Sequence, residues 1–376
     1  MTELDAILVG GGLANGLIAL ALATSRPGSR ILIVEREAEV GGNHVWCFHA
    51  DDADDAPWVE PLVVRRWPGY SVKFPELART VSSPYAAVTS DRFREVLKST
   101  PGITLLTGVE ACAVSANTVT IKTAGALRAK QVFDGRGPNQ LPCETGTHFQ
   151  KFLGLELRLS RPSPISEPLL MDARVPQTDG FRFIYALPFD EDRVLVEDTY
   201  FSPTANLDAP RLREEIIGWA HRQGFDIQSV EREERGVLPL PTRMSTPDPS
   251  DGALRTGYGG GWFHPTTGYS FPVAVRFAKV VAENGPEELR PALARLAAQH
   301  GRQLRYATFL NRLLFGAFSP EDQRNVLERF YRLPEASIRR FYALNTTTSD
   351  RARILCGRPP RGFSLRVAFT RGAVAS

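Results

Sequence analysis

Four apolar residues, Ala6-Ile7-Leu8-Val9, run directly into three glycines, Gly10-Gly11-Gly12. A short continuous apolar run of this kind reads as a parallel strand buried on both faces. Leu13-Ala14-Asn15-Gly16 and the stretch LIALALA follow with helical character, and Ile31-Leu32-Ile33-Val34 forms a second apolar strand that ends in Glu35. Strand, glycine turn, helix, strand and acid in that order make the βαβ unit of a dinucleotide site. The glycines let the backbone approach a pyrophosphate, the helix N-terminus faces its charge, and the acid closing the second strand meets a ribose hydroxyl. Gly10 and Gly12 hold the first two fingerprint positions, but Asn15 stands at the third, with Gly16 next. The third glycine serves helix–strand packing, so this shift alters packing and leaves phosphate contact in place. Ala6–Ser25 carries no charge over twenty residues, the length of a membrane span. The segment GGGLANG inside it favours a strand, a turn and a helix instead.

A chain of 376 residues has room for two to three domain-sized units. With 43% hydrophobic and 23% charged residues it is ordinary globular composition, which excludes wholesale disorder. The net charge of +3 is too balanced for a nucleic-acid binder. The charge is unevenly placed, since residues 301–376 hold 14 arginines against five acids. A basic tail on a mildly acidic body points to an anionic partner such as a membrane surface. Cys47, Cys112, Cys143 and Cys356 show no CxxC spacing, which reads as a reduced cytoplasmic protein. Acids precede the first apolar run and no basic n-region is present, which argues against a secretory signal.

Glu35 is followed by Arg36-Glu37 and then Val40-Gly41-Gly42-Asn43. An acid at the ribose position with a Gly-Gly just beyond it resembles the FAD proteins of the glutathione-reductase fold. That resemblance implies FAD rather than NAD, with Gly42 beside it. Asp134-Gly135, at the end of the strand-like run Lys130–Phe133, resembles the family's element that returns to the flavin. Gly257-Tyr258-Gly259-Gly260-Gly261 and Gly268 resemble its late flavin-contacting loop; many members carry an Asp where Tyr258 stands, so oxidase or hydroxylase behaviour is in doubt. The expected fold is α/β (α+β overall). A Rossmann-type FAD-binding domain (1–60, 91–150 and 250–287) is interrupted by a second, mostly antiparallel substrate sheet (61–90 and 151–249). A helical, basic, membrane-proximal region follows (288–376). Periodicity marks helices over 288–316 and 320–345, where arginines alternate with aromatics. That mix suits a helix face against lipid, and equally a helical layer packed on the core with solvated arginines.

Chemistry concentrates at Glu197-Asp198, which follows the apolar run Val194-Leu195-Val196. Successive side chains of a strand point to opposite faces, so only one of the two acids enters a given pocket. A carboxyl held against apolar walls has its charged form disfavoured and then serves as a general acid near neutral pH. Two solvated acids at a strand end are the plainer alternative. His44, Cys47 and His49 have no second Cys/His pair with them, so no metal is expected. Trp262, Phe263 and His264 lie in the late loop, where substrate contact and core packing are both open.

GGGLANGLIA, GGNH at 41–44, VEDT at 196–199, HPTTGYSFP at 264–272, NRLLF with RFYRLP, and RILCGRPPRG at 353–362 occur together in order. This combination resembles the bacterial lycopene beta-cyclases over nearly the whole chain. The resemblance implies redox-neutral ring closure at the ends of lycopene, giving beta-carotene through gamma-carotene. It implies reduced FAD as the active form, NAD(P)H as electron donor, and Glu197, with Asp198 beside it, as the catalytic acidic position. A peripheral place on the cytoplasmic face of the membrane, near other carotenoid-pathway enzymes, is implied as well. A flavin monooxygenase or reductase acting on an isoprenoid lipid, and a non-catalytic flavin- or carotenoid-binding protein, are the rival classes.

Overall fold

The computed structural model describes residues 4–122, 125–137 and 147–356. Cys143 and the final part of the RILCGRPPRG segment lie outside the described residues, as does the tail to Ser376. The chain runs β1 (Leu4–Val9), α1 (Leu13–Ser25), β2 (Ile31–Val34), β3 (Val45–His49), β4 (Arg65–Trp67), β5 (Tyr70–Phe74), β6 (Leu77–Val81), β7 (Tyr85–Thr89), α2 (Ser90–Ser99) and β8 (Ile103–Leu106). It continues through β9 (Ala111–Val114), β10 (Thr118–Ile121), β11 (Gly125–Asp134), β12 (His148–Leu159), β13 (Leu169–Asp172), β14 (Phe181–Pro188), β15 (Arg193–Ser202), α3 (Ala209–Arg222) and β16 (Ile227–Leu240). β17 (Leu254–Arg255) precedes the helices α4 (Phe271–Glu283), α5 (Pro286–Ala317), α6 (Pro320–Phe330), α7 (Glu335–Tyr342) and α8 (Thr348–Leu355).

The first sheet has the order β8-β2-β1-β11-β10-β9, with β17 also on β11. Its β8-β2-β1-β11 part is parallel, and the β9-β10-β11 meander is antiparallel. The apolar runs at Ala6–Val9 and Ile31–Val34 are buried because helices cover one face and the meander the other. The uncharged helix α1 is buried along nearly its whole length, wedged against α4. A second sheet, β16-β12-β15-β14-β13-β5-β6, is antiparallel except at the β13–β5 pair. One face packs on α3 and the other on a cluster built from β3, β7 and the tail helices.

Residues 61–90 divide between two sheets. β5 and β6 extend the second sheet, whereas β4 and β7 pair with β3 in a separate three-stranded sheet. That small sheet contributes to both neighbouring cores, with Phe48, Ala86 and Val88 in one and Cys47, Tyr85 and Ala87 in the other. The expected helix over 320–345 is broken: α6 stops at Phe330 and α7 begins after Pro334. Proline disfavours helical geometry at the residue before it and has no N–H to continue the ladder. Most tail aromatics point inward, with Phe315, Phe318, Tyr331 and Phe341 buried. Arg302, Arg305, Phe309 and Arg312 stay exposed along α5. No helix among the described residues is long and apolar enough to cross a membrane.

Candidate active site

Three chain segments converge at the N-terminus of α1. Gly10 adopts φ of +91° where β1 turns into the helix. Glu35 reaches back from the end of β2 and accepts the Gly11 N–H at 2.6 Å, and its other oxygen accepts the Glu37 N–H at 2.9 Å. A carboxylate oxygen has two lone pairs, so each keeps one for a further donor. Gly41 N–H donates to the Gly11 carbonyl, which places Gly42 (φ +60°) and His44 beside the turn. From β11, Gly135 N–H bonds the Val9 carbonyl, and Thr256 beyond β17 bonds the Asp134 carbonyl. The Asp134 carboxylate itself is occupied by its own Arg136, at 2.7 and 2.8 Å, so it reaches the late loop through its backbone only.

Asn15 explains the displaced fingerprint glycine. Its amide donates to the carbonyls of Val9 and Gly10 and accepts from Thr256 Oγ1, at 2.8–2.9 Å, so one buried side chain locks turn, helix and late loop together. The packing role passes to Gly16, where an added Cβ would lie 2.0 Å from the Phe93 ring of α2. Asn15→Ala leaves those partners orphaned in a buried position. A loss of about 1–3 kcal/mol is expected, read from urea unfolding of the variant.

The cradle fits a dinucleotide. No side chain caps α1, and a Cβ at Gly12 would meet nothing within 4 Å, so the first-turn amides face open space where a diphosphate would sit. Tyr258 acts as a structural clasp: its hydroxyl donates to the Gly268 carbonyl and its ring stacks on Phe263 at 4.3 Å. The late loop is thereby closed on itself, with Gly268 at φ +65°.

β15 separates its two acids onto opposite faces. Asp198 is completely buried on the α3 side, where both its oxygens bind Arg182 at 2.7 and 2.9 Å and Tyr200 OH donates at 3.3 Å. Its carboxylate is enclosed in an ion pair on the sheet face opposite to that of Glu197. Glu197 points the other way, toward the nucleotide half, and is half-buried. Its cross-strand neighbours are Tyr185 on β14 and Gly154 on β12, and Gly154 in turn lies opposite Glu234 on β16. A Cβ on Gly154 would stand 2.9 Å from Glu197 Cγ and 3.0 Å from Glu234 Cγ. The missing side chain lets the two carboxyls meet and hydrogen-bond across it. Desolvation first, then the charge and hydrogen bond of Glu234, hold the Glu197 carboxyl well above the usual carboxylate range, with Arg232 opposing.

Glu234 is paired with Arg232 at 2.8 Å. Arg232 also bonds Glu156 at 2.9 Å and Asn43 Oδ1 at 2.7 Å, and Asn43 donates to the Glu233 carbonyl. The carboxyl pair is thus tied to the Gly41–His44 loop. Burial holds His44 below its ordinary range, so the imidazole there is neutral. Cys47 is pushed up to about 12 by burial beneath Tyr185, whose hydroxyl lies 3.4 Å from that of Tyr85. His49 turns away to Tyr70 at 3.3 Å. Among the described residues, Glu234 and Arg232 are the charged groups that act on Glu197.

Glu234, Arg232 and Gly154 were missed in the sequence. Glu234 sits in the run Glu231-Arg232-Glu233-Glu234-Arg235-Gly236, whose alternation reads as a solvated strand. Its signal was that adjacent acids in a strand must split between faces, the argument already applied to Glu197-Asp198. All three residues of the late loop named as substrate contacts, Trp262, Phe263 and His264, are buried. His264 is buried with Nε2 on the Phe341 carbonyl at 2.9 Å and Nδ1 accepting from Thr266 N–H at 3.1 Å, and burial pulls it down to about 3. Trp262 is held by the Arg255 carbonyl and stacks on His300 at 5.0 Å, while Phe263 is fully buried against Tyr258. Trp262 and Phe263 do border a cavity of about 410 Å³ between the late loop and residues 241–255, which does not include Glu197.

A family model described as lycopene cyclase protein matches residues 5–367. The chain is 41% identical to the lycopene beta-cyclase of Pantoea ananas, over 95% of each protein. It is 40% identical to that of Pseudescherichia vulneris, over 95% of this chain and 94% of the relative. Among solved structures it is similar to a geranylgeranyl bacteriochlorophyll reductase-like protein from Thermoplasma acidophilum, with a TM-score of 0.69 at 12% identity over 94% of this chain and 96% of that one. It is also similar to a flavoprotein/dehydrogenase from Cytophaga hutchinsonii, with a TM-score of 0.59 at 13% identity over 94% and 95%. At those identities the likeness is one of fold. By its sequence, end to end, the chain belongs to the lycopene cyclase family.

Proposed function

We propose that this chain is a lycopene beta-cyclase that closes the linear ends of lycopene into beta rings, giving beta-carotene through gamma-carotene, with Glu197 as the initiating acid. One observation carries the assignment to Glu197: its carboxyl, whose protonated form burial and Glu234 favour, stands on the sheet face tied through Arg232 to Asn43 of the glycine loop. Its proton passes to C2 of the terminal C1=C2 bond, whose π pair forms the new C–H bond and leaves a tertiary cation at C1. The C5=C6 pair then forms the C1–C6 bond and moves the cation to C5. Loss of the C6 proton gives the ring, so one proton enters, one leaves, and the substrate undergoes no net redox change.

This chain's part is to hold the acid protonated, exclude water and keep aromatic rather than nucleophilic groups near the cation. Tyr185, Tyr85 and Leu195 supply such walls on the Glu197 face. Gly10, Gly12, Gly42 and the α1 N-terminus would hold FAD, with Glu35 on its ribose. Bound there, FAD in its reduced form would supply negative charge to the site, with NAD(P)H as the proposed source of its electrons. Lycopene resides in lipid, so the enzyme works as a peripheral protein on the cytoplasmic membrane face, near other carotenoid enzymes. The exposed strip Arg302, Arg305, Phe309 and Arg312 of α5, with the Arg312 guanidinium over the Phe309 ring at 5.9 Å, is a surface suited to anionic headgroups.

An anaerobic incubation with FAD, NADPH and lycopene-loaded liposomes tests the reaction. Cyclised carotene in many-fold excess over NADPH consumed is expected. A requirement for oxygen, or one NADPH used per product, would identify an oxygenase or reductase on an isoprenoid lipid instead.

A further inference from the structure

The acid of a redox-neutral cyclase must be recharged and kept neutral at every turnover, and the second sheet carries a device for this that is separate from Glu197 itself. Gly154 is flanked in register by Glu197 on one neighbouring strand and by Glu234 on the other. Any side chain at residue 154 would drive the two carboxyls apart, since its Cβ would come within 3.0 Å of both Cγ atoms. Glu234 is almost wholly buried and is anchored by Arg232 at 2.8 Å. Arg232 is fixed in turn by Glu156 and by Asn43 of the glycine loop.

We propose that Glu234 is the positioning partner of Glu197: its Arg232-anchored carboxylate, meeting Glu197 over Gly154, retains the proton on Glu197 between turnovers and orients it. The inference rests on Glu197 being the acid. Two carboxyls in contact cannot both be ionised cheaply, and the Arg232 guanidinium lies on the Glu234 side at 2.8 Å, so the proton of the pair belongs on Glu197. When that proton moves to C2, Glu197 becomes a carboxylate and the pair carries two negative charges. That state is favourable only while a carbocation stands in front of it, so the pair's charge opposes the cation's and falls again when the C6 proton returns to Glu197. Arg232 limits the repulsion, which lets the proton leave at all.

The other groups facing Glu197 do not change charge near neutral pH. Tyr185 on β14 is held well above its usual range, Cys47 on β3 is pushed up to about 12, and His44 in the glycine loop is held below its ordinary value, all chiefly by burial. Glu234 and Arg232 are therefore the charges that set the acid, and they act in opposite directions.

Opposite signs make the test specific. Full-length FAD-loaded protein, reduced with NADPH and given lycopene in liposomes, is assayed across pH as wild type, E234Q and R232Q. The alkaline limb, where the acid loses its proton, is expected to move down by about one pH unit or more in E234Q and up in R232Q. A merely structural role lowers the rate in both without moving the limb in opposite directions. In the absence of substrate, the wild-type-minus-E197Q infrared difference spectrum is expected to show a protonated-carboxyl band at neutral pH, beyond any contribution of Asp52, which burial pushes up to about 7 in both proteins. In E234Q it should titrate away at lower pH than in wild type. Limb and infrared titration unchanged in E234Q would overturn the role of Glu234 and leave Glu197 as the acid. Cyclase activity persisting in E197Q would remove both. If E234Q does not fold, R232Q alone decides: an alkaline limb that stays or moves down overturns the proposal.

Discussion

Glu197→Gln is expected to lower the cyclisation rate by about 10³-fold or more, as the loss of an initiating acid does. Glutamine has nearly the same shape and still hydrogen-bonds Glu234, so folding and the bound-flavin absorbance should be retained. Chromatography of the pigments and a visible spectrum of the same sample check both halves of the expectation. The pH dependence follows from the same carboxyl. Its folded-state value is raised, so the native protein holds a proton that the unfolded chain releases. Stability contributed by this group is present at low pH and is lost as pH rises from the ordinary carboxyl range through the raised value. Urea unfolding of the wild type should show that slope, and E197Q should flatten it. Activity should likewise fall only as pH passes the raised value, because the protonated form does the work.

Asp198→Ala, one residue away, is expected to act on stability rather than on chemistry. It leaves the Arg182 guanidinium, 3% exposed, with the partly exposed Glu215 as its remaining acidic partner at 3.1 Å. Removing one partner of a buried pair costs about 3–5 kcal/mol, a large share of the 5–15 kcal/mol that holds a typical protein together. Denaturant midpoints should drop accordingly, and turnover per folded molecule should stay within a few-fold of wild type at low temperature. The opposite result, a stable protein with no activity, would put Asp198 into the reaction and contradict the face assignment of β15.

Local order determined the nucleotide half. Ala6–Val9, Gly10–Gly12, the apolar α1 and Ile31–Glu35 form a βαβ unit because each piece is consecutive in the chain and its period states its partner. Even the departure at Asn15 was visible as a departure, though not its purpose, since the partners it joins are Val9, Gly10 and the distant Thr256. Sequence also located the acidic strand and showed that only one of Glu197 and Asp198 enters a pocket, because alternation along a strand is a local rule.

What each acid of β15 meets depended on α3 covering one side and β3 with the tail helices covering the other, and no local pattern encodes that choice. The same holds for the late loop. Trp262 and His264 looked available for substrate, yet packing of α5 and α7 against that loop gave the Trp262 ring His300 to stack on and His264 the Phe341 carbonyl. Glu234 lies 37 residues beyond Glu197 in a run that reads as solvated. The two meet because β12 inserts between their strands and presents Gly154, a residue without a side chain, at the crossing register. Glu197 was visible in the chain as one of two adjacent acids after an apolar run; that Glu234 stands near it came from strand order.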